Sequence, residues 1–130
     1  MKSLYSAFHT VTEQIRDAQA FGFNWPDQGM ILDQIISECK EIHQEIEGGC
    51  NEKMQEEIGD LLHAVISLCV FSGFDVSETL GKTGAKFSKR MALLKTLTQE
   101  QGLESLHGQS IPFMMNLWKK VKILEKQNEK

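Results

Sequence analysis

Between Leu61 and Phe71 the chain reads Leu61, Leu62, Ala64, Val65, Ile66, Leu68, Cys69, Val70 and Phe71, with only His63 and Ser67 interrupting. This run most constrains the fold. It is well short of the roughly 18–20 apolar residues a membrane helix needs. A helix apolar on nearly all sides has to be buried. In a chain of 130 residues, one layer of neighbouring helices hardly surrounds it. The run therefore predicts a helical bundle completed by a second copy, as a homodimer or homotetramer.

The rest of the sequence supports helices. There are two prolines and one tyrosine, and Leu, Ile, Met, Glu, Lys and Gln are frequent. The first helix is expected from about Leu4 to Ala20, and Gly22 to Asp27 breaks it. A second follows from about Gln28 to Glu47 and stops at Gly48-Gly49. Asn51 is expected to cap a third, ending near Gly73, and Asp75-Val76-Ser77-Glu78 to open a fourth that reaches about Gln99. Pro112 lies near the start of a fifth with a Lys-rich tail. The expected fold is an all-α bundle of about five helices, with a four-helix core completed by dimerisation. Residues 1–130 read as a single domain.

Two acid pairs carry the chemistry. Glu38 and Glu41 form E-x-x-E on the second helix, and Glu57 and Asp60 form E-x-x-D on the third. Residues three apart are neighbours on a helix surface, roughly 5–6 Å apart at Cβ. Two helices antiparallel across the Gly-Gly turn bring four acids together. At about 100° per residue, Glu38 lies at the margin of a stripe formed by Ile31, Ile35, Cys39, Ile42 and Ile46. Glu57 borders a stripe of Met54, Ile58, Leu61, Val65 and Leu68. Unpaired charge at such a border is costly, and a hard divalent ion such as Mg²⁺ would relieve it. Glu45 shares the side of Glu38, while His63 points away from the apolar stripe and is set aside as a ligand. Cys39 reads as a small core residue.

The fourth helix gathers Lys82, Lys86, Lys89 and Arg90 on one flank of an apolar face made by Val76, Leu80, Phe87, Met91 and Leu94. An acidic metal site and a basic flank together suit a polyphosphate. Gly84 is unusual inside a helix, where glycine costs about 1 kcal/mol relative to alanine.

Taken in order, these motifs resemble the MazG-type nucleoside triphosphate pyrophosphohydrolases of the all-α NTP pyrophosphatase superfamily. Trp25-Pro26-Asp27-Gln28 resembles the tryptophan that leads into the family's second helix. Glu38-x-x-Glu41 and Glu56-Glu57-Ile58-Gly59-Asp60-Leu61-Leu62 resemble its metal motif. Lys82 to Met91 resembles its K-x-N-x-K-F-x-R-R segment, and Leu117-Trp118-Lys119-Lys120-Val121-Lys122 its closing helix. The resemblance implies hydrolysis of a nucleoside triphosphate to a monophosphate and pyrophosphate. It implies Mg²⁺, with Mn²⁺ as a substitute, held by Glu38, Glu41, Glu57 and Asp60. Lys86 and Arg90, with Lys82 or Lys89, would neutralise the phosphates, and Trp25 would border the base or ribose. Gly84 stands where the family has Asn, Lys89 where Arg is common, and Ser37 where an acid often precedes the first motif.

A net charge of −4 and a pI near 5.6 argue against general nucleic-acid or membrane binding. Three cysteines without C-x-x-C spacing, and no signal-like apolar stretch from Met1 to Phe8, point to a reducing cytoplasm. Competing readings are a non-enzymatic helical interaction module with solvated acids and a di-iron carboxylate bundle. The latter is disfavoured because neither acid pair ends in His. A dUTP, dCTP or phosphoribosyl-ATP specialist of the same superfamily is the remaining alternative.

Overall fold

The computed structural model of the chain describes residues 4–128, with side chains from Ala7 to Asn128. Among these there are five α-helices and no strand: α1 (Leu4–Phe21), α2 (Gln28–Gly48), α3 (Asn51–Phe71), α4 (Val76–Glu100) and α5 (Ile111–Asn128). The all-α expectation is met. No single helix is long and apolar enough to cross a membrane.

The helix ends follow local chemistry. Asp27 caps α2, its Oδ1 accepting from the Met30 N–H at 2.9 Å. Gly49 ends α2 in the left-handed conformation at φ 74°, and its N–H reaches the Glu45 carbonyl. Asp75 caps α4, its Oδ2 accepting from the Glu78 N–H at 2.9 Å. Asn51, expected as the cap of α3, is instead its first helical residue. Cys50 takes the cap position in extended backbone, with no side-chain cap bond. The connection after Gly49 is so short that the helix starts one residue earlier than its best capping side chain.

The chain divides into two compact units, Met1–Thr79 and Leu80–Lys130, with the boundary in the first turn of α4. In the first unit α3 packs against both α2 and α1. Its interior holds Ile15, Ile31, Ala64 and Ile66, together with Thr12, Glu38 and Ser67. The two buried hydroxyls are satisfied within their own helices, Thr12 on the Phe8 carbonyl and Ser67 on the His63 carbonyl. In the second unit α4 supplies Leu94, and α5 supplies Leu117 and Val121, to a core that Met91, Phe113 and Trp118 flank.

The inward faces of α2 and α3 differ from the expected apolar stripes. On α2, Ile31 and Glu38 are buried while Cys39 and Ile46 are exposed, so Cys39 is not a core residue. On α3, Ala64 and Ser67 are buried while Ile58 and Val65 are 40% and 47% exposed. The physical reason is the direction in which the helices meet. The face that turns inward carries Ala64 and Ser67 with Ile66 beside them, rotated away from the stripe of Ile58 and Val65, which turns out. The run from Leu61 to Phe71 is thus only partly enclosed within the described residues, with Leu62 56% exposed.

Candidate metal centre

Because α2 and α3 are joined only by Gly49 and Cys50 and pack along each other, they form a helical hairpin. Glu38 and Glu41 lie one turn apart on one arm, and Glu57 lies on the other. One carboxylate oxygen from each of the three comes within 4.8 Å of the other two. Glu38 is buried, Glu57 half-buried and Glu41 exposed. Glu38 Oε1 accepts a 2.6 Å hydrogen bond from Gln34 Nε2. Glu38 Oε2 and Glu57 Oε2 are both buried without a hydrogen-bond partner.

Two partnerless carboxylate oxygens facing a third acid are unfavourable, since ionised carboxylates only accept. One remedy is a proton. The Glu57 carboxyl is pushed up to about 7, first by hydrogen bonding to Glu41 and then to Glu38, with burial and the charges of the same two acids adding to the effect. The other remedy is a cation. Three convergent carboxylates, two of which carry a buried oxygen without a partner, fit the oxygen-donor preference of a hard divalent ion.

Asp60 is not one of these three. It is exposed and lies with Glu38 in the lining of an adjoining cavity of about 550 Å³. Half-buried Trp25 lines the same cavity, as do Asn24, Gln34, His63 and Ser67. Glu45 is half-buried but stands outside the group of three. Sequence reasoning passed over Gln34 and Ser67 and set His63 aside, because it measured each residue against an apolar stripe. The helices pack instead along the face of Glu38 and Ala64. The available signal was spacing: Gln34 sits one turn before Glu38, and His63 one turn after Asp60.

In the second unit Lys82, Lys86 and Lys89 line a groove of about 640 Å³ together with Glu125. Arg90 is engaged by Glu125. Its Nε donates to the two carboxylate oxygens at 3.0 and 3.1 Å, and its Nη2 donates to Oε1 at 2.9 Å. The guanidinium lies 6.0 Å from the centre of the Trp118 ring. Arg90 holds the Glu125 carboxyl below the usual range against the opposing effect of burial, and Lys86 and Lys89 add to the lowering. Glu125 also escaped sequence reasoning. It follows Leu117 and Val121 on the inward stripe of α5, an unusual place for an acid.

The described residues define an all-α protein whose helical hairpin converges three carboxylates, a group that could hold a metal ion, and whose second unit carries a lysine-lined groove. More particularly, the chain belongs to the MazG nucleotide pyrophosphohydrolase domain family, whose model matches residues 28–94, just over half of the chain. That segment contains both acid pairs and Lys82, Lys86 and Lys89 of α4. The chain is 30% identical over 103 residues to a nucleoside triphosphate pyrophosphohydrolase of Escherichia coli K12, covering 78% of this chain and 39% of that protein. It is likewise 30% identical over 106 residues to the nucleoside triphosphate pyrophosphohydrolase/pyrophosphatase MazG of Thermotoga maritima, covering 82% of this chain and 40% of that protein. The chain thus spans about two-fifths of the length of these relatives.

Proposed function

We propose that the chain is a Mg²⁺-dependent hydrolase that converts a nucleoside triphosphate and water into a nucleoside monophosphate and pyrophosphate, serving to clear the nucleotide pool. The observation that carries this reading is the pair of buried, partnerless oxygens on Glu38 and Glu57 within a three-carboxylate cluster. The names of the two pyrophosphohydrolase relatives support the substrate class.

Glu38, Glu41 and Glu57 would hold the ion, with Asp60 the fourth ligand of the sequence motif. Bound there, Mg²⁺ offsets phosphate charge and lowers the pKa of water; Mn²⁺ meets the same oxygen-donor preference. Trp25 offers an aromatic face to the nucleoside from the cavity wall. Lys82, Lys86 and Lys89 line the basic groove of the second unit and are the cations this reading assigns to phosphate neutralisation. Arg90 belongs to the same set, its fork oriented by Glu125.

The same reading includes a second copy of the chain. Leu32 and Ile36 on α2, with Ile58, Leu62 and Val65 on α3, remain 40–56% exposed. They recur at helical spacing, and a partner packed on this face would complete the burial that the apolar run requires. The free thiols Cys39, Cys50 and Cys69 suit a reducing cytoplasm.

The test is a product screen. Canonical and modified nucleoside triphosphates are incubated with the protein and Mg²⁺, and pyrophosphate is scored against orthophosphate. Stoichiometric monophosphate and pyrophosphate is the expected result. Release of orthophosphate alone, or no turnover across the panel, would overturn the reading.

A further inference from the structure

We propose that Gln34 is a positioning and specificity-determining residue of this site: it fixes the carboxylate of Glu38 and presents a hydrogen-bond acceptor to a nucleobase in the adjoining cavity. The identity of the ligand rests on the pyrophosphohydrolase reading, whereas the hold on Glu38 does not.

Gln34 lies one helical turn before Glu38 and is half-buried. Its Nε2 is 2.6 Å from Glu38 Oε1. An ionised carboxylate accepts and does not donate, so this contact determines which way the amide faces. One N–H of the amide nitrogen is committed to Glu38 and the oxygen is directed away from it. The bond also restrains the Glu38 carboxylate, leaving Oε2 as the buried oxygen without a partner. An outer partner that orients a ligating carboxylate governs metal affinity without touching the ion.

The same side chain lines the cavity of about 550 Å³ with Trp25, His63 and Ser67. That volume falls within the ordinary range for a small-molecule site. Trp25 supplies an apolar ring for a flat partner. Gln34 Oε1 selects a partner that donates, such as an exocyclic amino group or a ring N–H. A base presenting only acceptors at that point would leave the amide oxygen unpaired, which costs affinity. One amide thereby links the position of a metal ligand to the identity of the bound base.

Gln34→Met keeps the length of the side chain and removes both polar ends. Gln34→Ala, an excellent helix former, is the second variant should the first fold poorly. Each is titrated calorimetrically with Mg²⁺ alone, without nucleotide, and its kcat/KM is then measured over a panel of triphosphates. The expected results are Mg²⁺ binding roughly 10-fold weaker than wild type and a preference between amino-bearing and amino-lacking bases that shrinks about 5-fold or more. Mg²⁺ affinity within about twofold of wild type would overturn the positioning role, and an unchanged base preference would overturn the specificity role. If the wild-type protein hydrolyses no triphosphate, the functional reading fails, while the Mg²⁺ titration still decides whether Gln34 holds Glu38.

Discussion

Arg90 on α4 and Glu125 on α5 form a forked ion pair in which the guanidinium meets both carboxylate oxygens at 3.0 and 3.1 Å through Nε. Both side chains are largely shielded, 21% and 15% exposed. The pair bridges the two helices above the Leu94, Leu117 and Val121 core and orients the strongest cation of the basic flank. Glu125→Gln is expected to lower the melting temperature at neutral pH, since it removes the charge from a shielded, forked carboxylate–guanidinium pair. Glu125 is depressed below its ordinary value of 4.5, so its contribution is present above that value and is lost as pH falls through the folded-state pKa. Melting temperatures of wild type and Glu125→Gln should therefore converge on acidification below 4.5.

The opposite sign applies to Glu57. Its carboxyl is raised from 4.5 to about 7 in the metal-free protein. The folded state therefore binds more protons than the unfolded state between those values, and its stability should fall as pH rises through that window. Glu57→Gln keeps a neutral side chain there and should flatten this slope. A divalent ion needs the deprotonated cluster, so stabilisation by Mg²⁺ should grow from pH 6 to pH 8 in wild type and vanish in Glu57→Gln. Thermal melts with Mg²⁺ or excess EDTA at several pH values check both statements. Circular dichroism should show unchanged helical content in the variant.

What the sequence disclosed was what local spacing determines. Helix ends at Asp27, Gly49 and Asp75 follow from the cap chemistry of single residues. The convergence of Glu38, Glu41 and Glu57 follows from E-x-x-E and a facing acid across a tight hairpin. The packing faces were less legible. A wheel ranks Cys39 and Val65 above Glu38 and Ser67 as core residues, whereas the direction in which α2 and α3 meet buries Glu38 with Ile31 and Ser67 with Ala64 and Ile66. Gln34 and Glu125 were invisible for a related reason. Gln34 acts on Glu38 one turn along its own helix, a spacing that a ranking by apolar stripes does not weigh, and Glu125 acts on Arg90 of another helix, a partner its own stripe does not disclose.

Leu62 and Val65 test the second copy. They are 56% and 47% exposed on α3, one turn apart at most, within the most apolar segment of the chain. Leu62→Glu with Val65→Glu leaves the described interior untouched, so the helices should form. Light scattering at micromolar concentration is expected to give at least twice 14.8 kDa for the wild type and a smaller particle for the double variant. A wild-type monomer that is stable and fully folded would remove the case for a partner on this face.

Gly84 gives the last expected outcome. It lies in the interior of α4, which continues unbroken from Val76 to Glu100. A Cβ built on it meets nothing within 4 Å, so neither close packing nor a kink explains the glycine. Gly84→Ala should therefore gain close to the full propensity difference, about 0.5–1 kcal/mol. For a chain of this size that is roughly 2–5 °C in melting temperature. Gly84→Asn introduces the residue the family carries there, with a smaller stability gain because Asn is a poor helix former. If that amide meets the substrate, kcat/KM should rise in Gly84→Asn and not in Gly84→Ala. Equal activity in both would assign the position to helix propensity alone. A fall in stability for Gly84→Ala would mean that another surface, such as a second copy, packs against this stretch of α4.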